Sequence, residues 1–204
     1  MKALVFSKEL HGLKTYSDAG GIVGHVDEFY FDDRSWSVRY LVLDAGHWLK
    51  DRKVLISPVA LRSIDLRDGR IRTNTTAEQI ERSPDASTDL PVARALELQI
   101  HRHYGWGVAW PESFMGAHDD PTAIDREKHD PHLRSTRVLT GTTIVSPTGD
   151  VVGTISDFLI DTKSWRIELV AAECDKFHAV LLDPASIQEI DVARRIVRID
   201  QPNA

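Results

Sequence analysis

Two short stretches of the chain, "WSVRYLVLD" (36–44) and "WRIELVAA" (165–172), alternate in parity. In the first, Trp36, Val38, Tyr40 and Val42 share one phase, and Arg39, Leu41 and Leu43 the other. In the second, Trp165, Ile167 and Leu169 share a phase. A period of two carried by β-branched and aromatic residues predicts strands. Just upstream the phase breaks, with Gly24 and Val26 in one parity and Phe29 and Phe31 in the other. Such a break predicts a β-bulge near Asp27 and Glu28, mirrored at Ser156 and Asp157. "LRSIDLRDGRIRTN" (61–74) predicts a hairpin turning at Asp68-Gly69. Six or so short strands at this spacing, with turn residues between them, predict a small β-barrel.

The two stretches belong to a repeat. Residues 10–36 align with 139–165 without a gap, and ten positions are identical, among them Gly24/Gly153, Phe29/Phe158, Asp32/Asp161, Ser35/Ser164 and Trp36/Trp165. After the tryptophans the register slips by three, and "VLISP" (54–58) meets "VLLDP" (180–184). The extra residues fall in "AGHWLKDR", as expected of a loop. Two copies are too few for a solenoid, so two domains of one kind are expected. The fold class is therefore all-β with a minor helical connector: a first barrel over 1–75, a connector over 76–133 and a second barrel over 134–204. The barrels are expected to pack about a pseudo-twofold axis, with the connector against them.

The connector departs from the strand pattern. "TTAEQIERSP" (75–84) predicts a short helix capped by Thr75 or Thr76 and ended before Pro84. "PVARALELQIHRHYG" (91–105) spaces Val92, Leu96, Ile100 and Tyr104 by about four, which predicts an amphipathic helix. From "WGVAW" onward the pattern reads as loop. The connector also carries the charge: −6 over 76–133, against +2 before it and −2 after it. An overall charge of −6 argues against broad binding to nucleic acid, which needs a basic face. One cysteine, Cys174, allows no internal disulfide and fits a reducing compartment. Its acidic neighbours, Glu173 and Asp175, disfavour a nucleophilic role. The opening "MKALVFSKEL" is too short in apolar residues for a signal peptide, and no apolar run nears the roughly 20 residues of a membrane helix. A soluble cytoplasmic protein is expected.

With these residues in view, "SDAGGIVGHVDEFYFDDRSWSVRYLVLD" followed by "VLISP" resembles the PRC-barrel, the small barrel of the photosynthetic reaction centre H subunit's cytoplasmic domain. The resemblance covers 8–74 and, more weakly, 136–200. It implies a non-enzymatic binding or scaffold module, a protein–protein adaptor or assembly factor without a cofactor, whose partner is an unidentified protein or a second copy of the chain. The fold alone does not carry over the function of any one member. By analogy with the H subunit, a peripheral place on a membrane electron-transfer complex is a further alternative.

Adjacent Asp32 and Asp33 point to opposite faces of a strand, and only Asp32 recurs, so "DDRSW" and "DTKSW" are expected to be turns rather than an acid pair. Gly24, Phe29, Asp32, Trp36, Gly153, Phe158, Asp161 and Trp165 are the expected fold markers. His129 and His132, with Asp119 and Asp120, form the alternative reading, a metal or small-ligand site. His101 and His103, two apart, are expected to have separate roles. Tyr104, Trp106 and Trp110 are the expected interface aromatics. No catalytic constellation is present in the sequence.

Overall fold

The computed structural model describes residues 4–50, 52–85, 94–106, 132–174 and 178–200. The first repeat supplies β1 (Leu4–Phe6), α1 (Ser7–Leu10), β2 (Lys14–Tyr16), β3 (Ile22–Asp32), β4 (Ser37–Asp44), β5 (Lys53–Ile56), β6 (Leu61–Asp65) and β7 (Arg70–Thr73). Two connector helices follow, α2 (Ala77–Glu81) and α3 (Arg94–Tyr104). The second repeat supplies β8 (Leu133–Ser135), α4 (Thr136–Leu139), β9 (Thr143–Val145), β10 (Val151–Asp161), β11 (Arg166–Glu173), β12 (Ala179–Leu182), β13 (Ile187–Asp191) and β14 (Ile196–Ile199). Each of these strands and α-helices of the first repeat has its counterpart in the second. The molecule is all-β and duplicated.

The strands join in one sheet whose order reads the same from either end: β6-β7-β2-β3-β4, then β11-β10-β9-β14-β13. The centre is an antiparallel contact between β4 and β11. There the Val38 amide donates to the Trp165 carbonyl (2.7 Å), and the Ile167 amide donates to the Trp36 carbonyl (2.8 Å). The two bonds exchange under the 129-residue offset of the repeat, which makes the junction pseudo-twofold. Both parities of β4 are buried, with Leu41, Val42 and Leu43 at 1% exposure or less. Trp36 lies outside the strand, in the turn before it.

The predicted bulges are present. The pairing of β3 with β4 shifts between Val26 and Glu28, and that of β10 with β11 between Ile155 and Asp157. Each bulge marks a change of neighbour on the strand's other edge. Before Asp27, β3 pairs with β2 of its own repeat; at Tyr30–Asp32 it pairs with β8 of the other repeat. In the same way β10 pairs first with β9 and then, at Leu159–Asp161, with β1. The repeats thus exchange their first strands, and each barrel is completed by three residues of its twin. A bulge bends and twists a strand, which lets one strand serve two barrels in succession.

The core runs unbroken across the junction. Phe31 of the first repeat packs on Phe158 of the second (centroids 5.7 Å apart), and Phe29 packs on Trp165 (6.4 Å). Phe29, Phe31 and Phe158 are at 1% exposure or less, so each contributes about 1.5–3 kcal/mol by leaving water.

Candidate functional site

The carboxylates of the "DDRSW" and "DTKSW" turns are structural. Asp32 Oδ1 accepts from the amides of Arg34 (3.1 Å) and Ser35 (2.8 Å) and from Ser35 Oγ (3.0 Å). Asp161 Oδ1 accepts from the Lys163 amide (2.9 Å). Asp33 faces elsewhere and holds His132 Nδ1 (2.8 Å) and Arg134 Nε (2.7 Å). Both turns end on a tryptophan in the left-handed region, Trp36 at φ 55° and Trp165 at φ 56°. The ring of Trp36 stacks on Phe31 at 5.2 Å. Gly24 and Gly153 mark close backbone approaches: a Cβ there would lie 2.7 Å from the Asp44 carbonyl oxygen and 2.5 Å from that of Glu173.

Among the described residues, three clefts lie beside the junction of the two repeats. One, of about 380 Å³, lies between the two bulges and is lined by Ser7, Lys8, Asp27, Glu28, Arg137 and Asp157 among others. Its carboxylates are engaged. Asp157 Oδ1 accepts from Ser7 Oγ (2.5 Å) and from the Phe158 amide (2.7 Å), and Lys8 Nζ lies 3.7 Å from its Oδ2. Ser135 Oγ donates to Glu28, and Arg137 pairs with Asp27. Lys53 Nζ bridges Asp27 and Asp44 at 2.9 Å each. Burial raises the Glu28 carboxyl above its ordinary value, with the Ser135 hydrogen bond and Arg137 opposing. The hydrogen bond from Lys53 holds Asp44 low. This network ties the turns after β1 and β8 to the bulges.

The other two clefts flank the β4–β11 contact and are twins. One, about 460 Å³, is lined by Arg39, Tyr40, Pro58, His101, Lys163 and Trp165. The other, about 420 Å³, is lined by Glu168, Asp183, Pro184, Arg166, Arg34 and Trp36. Under the repeat, Arg39 corresponds to Glu168, Ser57 to Asp183 and Lys163 to Arg34. Among the described residues, the first cleft is lined by Arg39, His101 and Lys163 with no carboxylate, whereas the second has Asp33, Glu168 and Asp183 together with Arg34 and Arg166.

The twins differ because the connector helices cover the first barrel. Thr76 caps α2 through a capping box, accepting from the Gln79 amide (3.0 Å) while Gln79 Oε1 accepts from the Thr76 amide (2.9 Å). His103 Nε2 meets the Gln79 carbonyl at 2.5 Å and so joins α3 to α2. Arg52, just before β5, donates to the Glu81 (3.2 Å) and Ser83 (2.5 Å) carbonyls. On β4, Arg39 Nη2 pairs with Glu97 at 2.8 Å, and Tyr40 Oη meets His101 Nε2 at 3.0 Å. His101 and His103 thus serve separate contacts. Burial, with Glu97 beside it, pushes the Tyr40 phenol well above its ordinary value. Ile80, Ile100 and Glu97 are fully buried. Tyr104, pushed up to about 12 by burial, stacks on Trp106 at 4.2 Å within this cover.

In the first barrel β5 is buried, with Val54, Leu55 and Ile56 all at 0% exposure. On the second barrel β12 holds the same place, with Leu181 opposite Ala171 as Leu55 is opposite Val42. Leu181 is 47% exposed, Ala179 is exposed, and Leu169, which replaces Tyr40, is half-buried. This difference was not visible in the sequence, where "VLISP" and "VLLDP" are nearly the same string. The exchange of Arg39 for Glu168 was visible in the alignment, but only the structure gives it a place beside a covering helix.

Of the candidate metal ligands, His129, Asp119 and Asp120 lie outside the described residues, as does Trp110. His132 is engaged by Asp33. Among the described residues no group of three His, Cys, Asp or Glu side chains is arranged to hold a metal, and no helix is long and apolar enough to cross a membrane.

The family model for the PRC-barrel domain matches residues 4–80 and 134–204. No curated protein matches. Among solved structures, a protein described as a 16S ribosomal RNA processing protein, RimM, from Pseudomonas aeruginosa is 23% identical, with a TM-score of 0.30. That match covers 36% of this chain and 45%, less than half, of the other.

Proposed function

Since the chain belongs to the PRC-barrel family and carries the domain twice, we propose that it is a non-enzymatic protein-binding module, an adaptor or assembly factor, whose partner docks on the β11–β12 face of the second barrel. One observation carries this reading: Leu55 is fully buried in the first barrel, while its counterpart Leu181 in the second is 47% exposed. An apolar sheet face that is capped in one copy and open in the other is suited to a partner. The carboxylates of the cleft on the axis support a structural rather than catalytic role, because each is held by a hydroxyl or a cation. The overall charge of −6 favours a protein partner over nucleic acid.

The full-length chain, used as bait in its native lysate, is expected to retain one or a few proteins in stoichiometric amount. Leu181→Asp should release them while leaving the far-ultraviolet circular dichroism and the melting temperature unchanged, since the side chain is half exposed. Retention of the same proteins by that variant would move the binding site off this face. Absence of any stoichiometric partner would remove the reading.

A further inference from the structure

The second barrel leaves one strand edge open. We propose that β12 pairs antiparallel with β12 of a second copy of the chain, about a twofold axis at Val180, so that two molecules share one continuous sheet. This rests on the protein-binding reading above and identifies the partner.

The ladder between β11 and β12 fixes which backbone groups of β12 face outward. The Cys174 amide donates to the carbonyl of His178 opposite it (2.9 Å), and the pairs that follow are Glu173 with Ala179, Ala172 with Val180, Ala171 with Leu181 and Val170 with Leu182. Bonded and unbonded pairs alternate in an antiparallel ladder. Val180 and Leu182 therefore bond to β11, while the amides and carbonyls of Ala179 and Leu181 point the other way. Among the described residues β12 pairs with no further strand. Ala179 and Leu181 also carry its exposed side chains, whereas Leu182 is buried. An unpaired edge is a template for another strand, and proteins guard such edges with charge, proline or a bulge. The strands at the two ends of the sheet are guarded by charge, β6 by Arg62 and Asp65 and β13 by Glu189 and Asp191. β12, with the sequence AVLL, has no such guard.

This edge is complementary to itself. With the twofold at Val180, Ala179 of each copy lies opposite Leu181 of the other, and each of these two pairs exchanges two backbone bonds. Exposed apolar side chains then meet on one face, and no like charges of β12 are opposed because it has none. The chain already shows its barrel joining a homologue edge to edge: β4 and β11 meet antiparallel across the pseudo-twofold through bonds of 2.7 and 2.8 Å. β1 and β8, three residues each, are likewise received on strand edges of the other repeat. A contact of four residues a side is smaller than a standard stable interface, so the dimer is expected to depend on concentration.

Sedimentation equilibrium of the full-length chain over roughly 1–200 µM should show the mass rising from one chain toward two. Leu181→Asp places a charge on the edge and should weaken the association about tenfold or more. Ala179→Pro removes an outward amide at the first residue of the strand, where proline is tolerated, and should weaken it to a similar degree. In a Cys174→Ser background, Val180→Cys sets two thiols across the axis in an unbonded pair, with Cα atoms about 4.5 Å apart and within disulfide reach. Mild oxidation should then give a covalent dimer, whereas Gln188→Cys, exposed on β13, should not. If circular dichroism shows that Ala179→Pro does not fold, Leu181→Asp and the cross-link decide. A mass of one chain throughout, a dimer that the substitutions leave intact, or equal cross-linking at 180 and 188 would overturn the proposal. If the chain stays monomeric while the lysate bait retains a different protein that Leu181→Asp releases, the second copy is wrong and the protein-binding reading stands. If it stays monomeric and the bait retains nothing, both fall.

Discussion

Trp36 and Trp165 show how one residue type can be held in a conformation it disfavours. A left-handed backbone costs a residue with a Cβ about 1–2 kcal/mol, yet both turns place their tryptophan there, at φ 55° and 56°. The ring supplies the offset: Trp36 is 7% exposed and stacked on Phe31, and losing such a ring costs about 3–5 kcal/mol. Once the ring is removed only the backbone preference remains. Trp36→Gly should therefore be more stable than Trp36→Ala by about 1 kcal/mol, the reverse of the order inside a strand, as read from urea midpoints at constant slope. The reverse ranking would show that the turn relaxes when the ring leaves. Asp32 and Asp161 belong to the same device, since their carboxylates organise the turns that deliver the tryptophans.

The bulges are the elements on which the rest depends, because at each of them one strand passes from its own barrel to its twin's. Glu28 sits at this point with its carboxyl raised by burial above the ordinary 4.5. The folded state therefore holds that proton more tightly than the unfolded state does. Stability is lost as pH rises from 4.5 through the folded value, and the full cost is present above it. Glu28→Gln keeps an acceptor for Ser135, and Arg137 keeps Asp27 as partner. The variant should match or exceed the parent at pH 7, and its stability should vary less with pH between 4.5 and 7, by thermal melts across that range. An unchanged profile would acquit Glu28. The loss of Asp44's stabilising pairing with Lys53 belongs to a separate, lower window, below 3.8. Much at this scale was legible in the sequence, for a physical reason. The bulge at Asp27–Glu28, the hairpin at Asp68-Gly69 and the Thr76 cap all follow from local period and turn chemistry. The exchanged strands were not legible. "LVF" and "LRS" share only a leucine and are too short to show a period, and their pairing is decided by contacts more than a hundred residues away.

At the scale of the whole molecule the exchange is expected to make the two repeats one cooperative body. Gly153→Ala would force a Cβ to within 2.5 Å of the Glu173 carbonyl oxygen and should cost about 1–3 kcal/mol. Hydrogen exchange should then report faster opening in β3 and β4 of the untouched repeat as well as in β10 and β11. Protection lost only from the second repeat would mean that the halves unfold separately. The charge and exposure differences that mark the proposed site also live at this scale. Arg39 pairs with Glu97 of α3, and Leu55 is fully buried where its counterpart Leu181 is 47% exposed, and no window of sequence contains those facts. The reciprocal strand exchange has one more consequence. Between two separate chains such an exchange is a dimer, which mass action undoes on dilution and which offers two identical faces. Here both halves of the exchange lie on one polypeptide, so the interlock holds at any concentration. The link that makes it permanent also covers one of the two faces. A symmetric object that could bridge partners into chains is thereby turned into a one-sided one, expected to bind a single partner and stop.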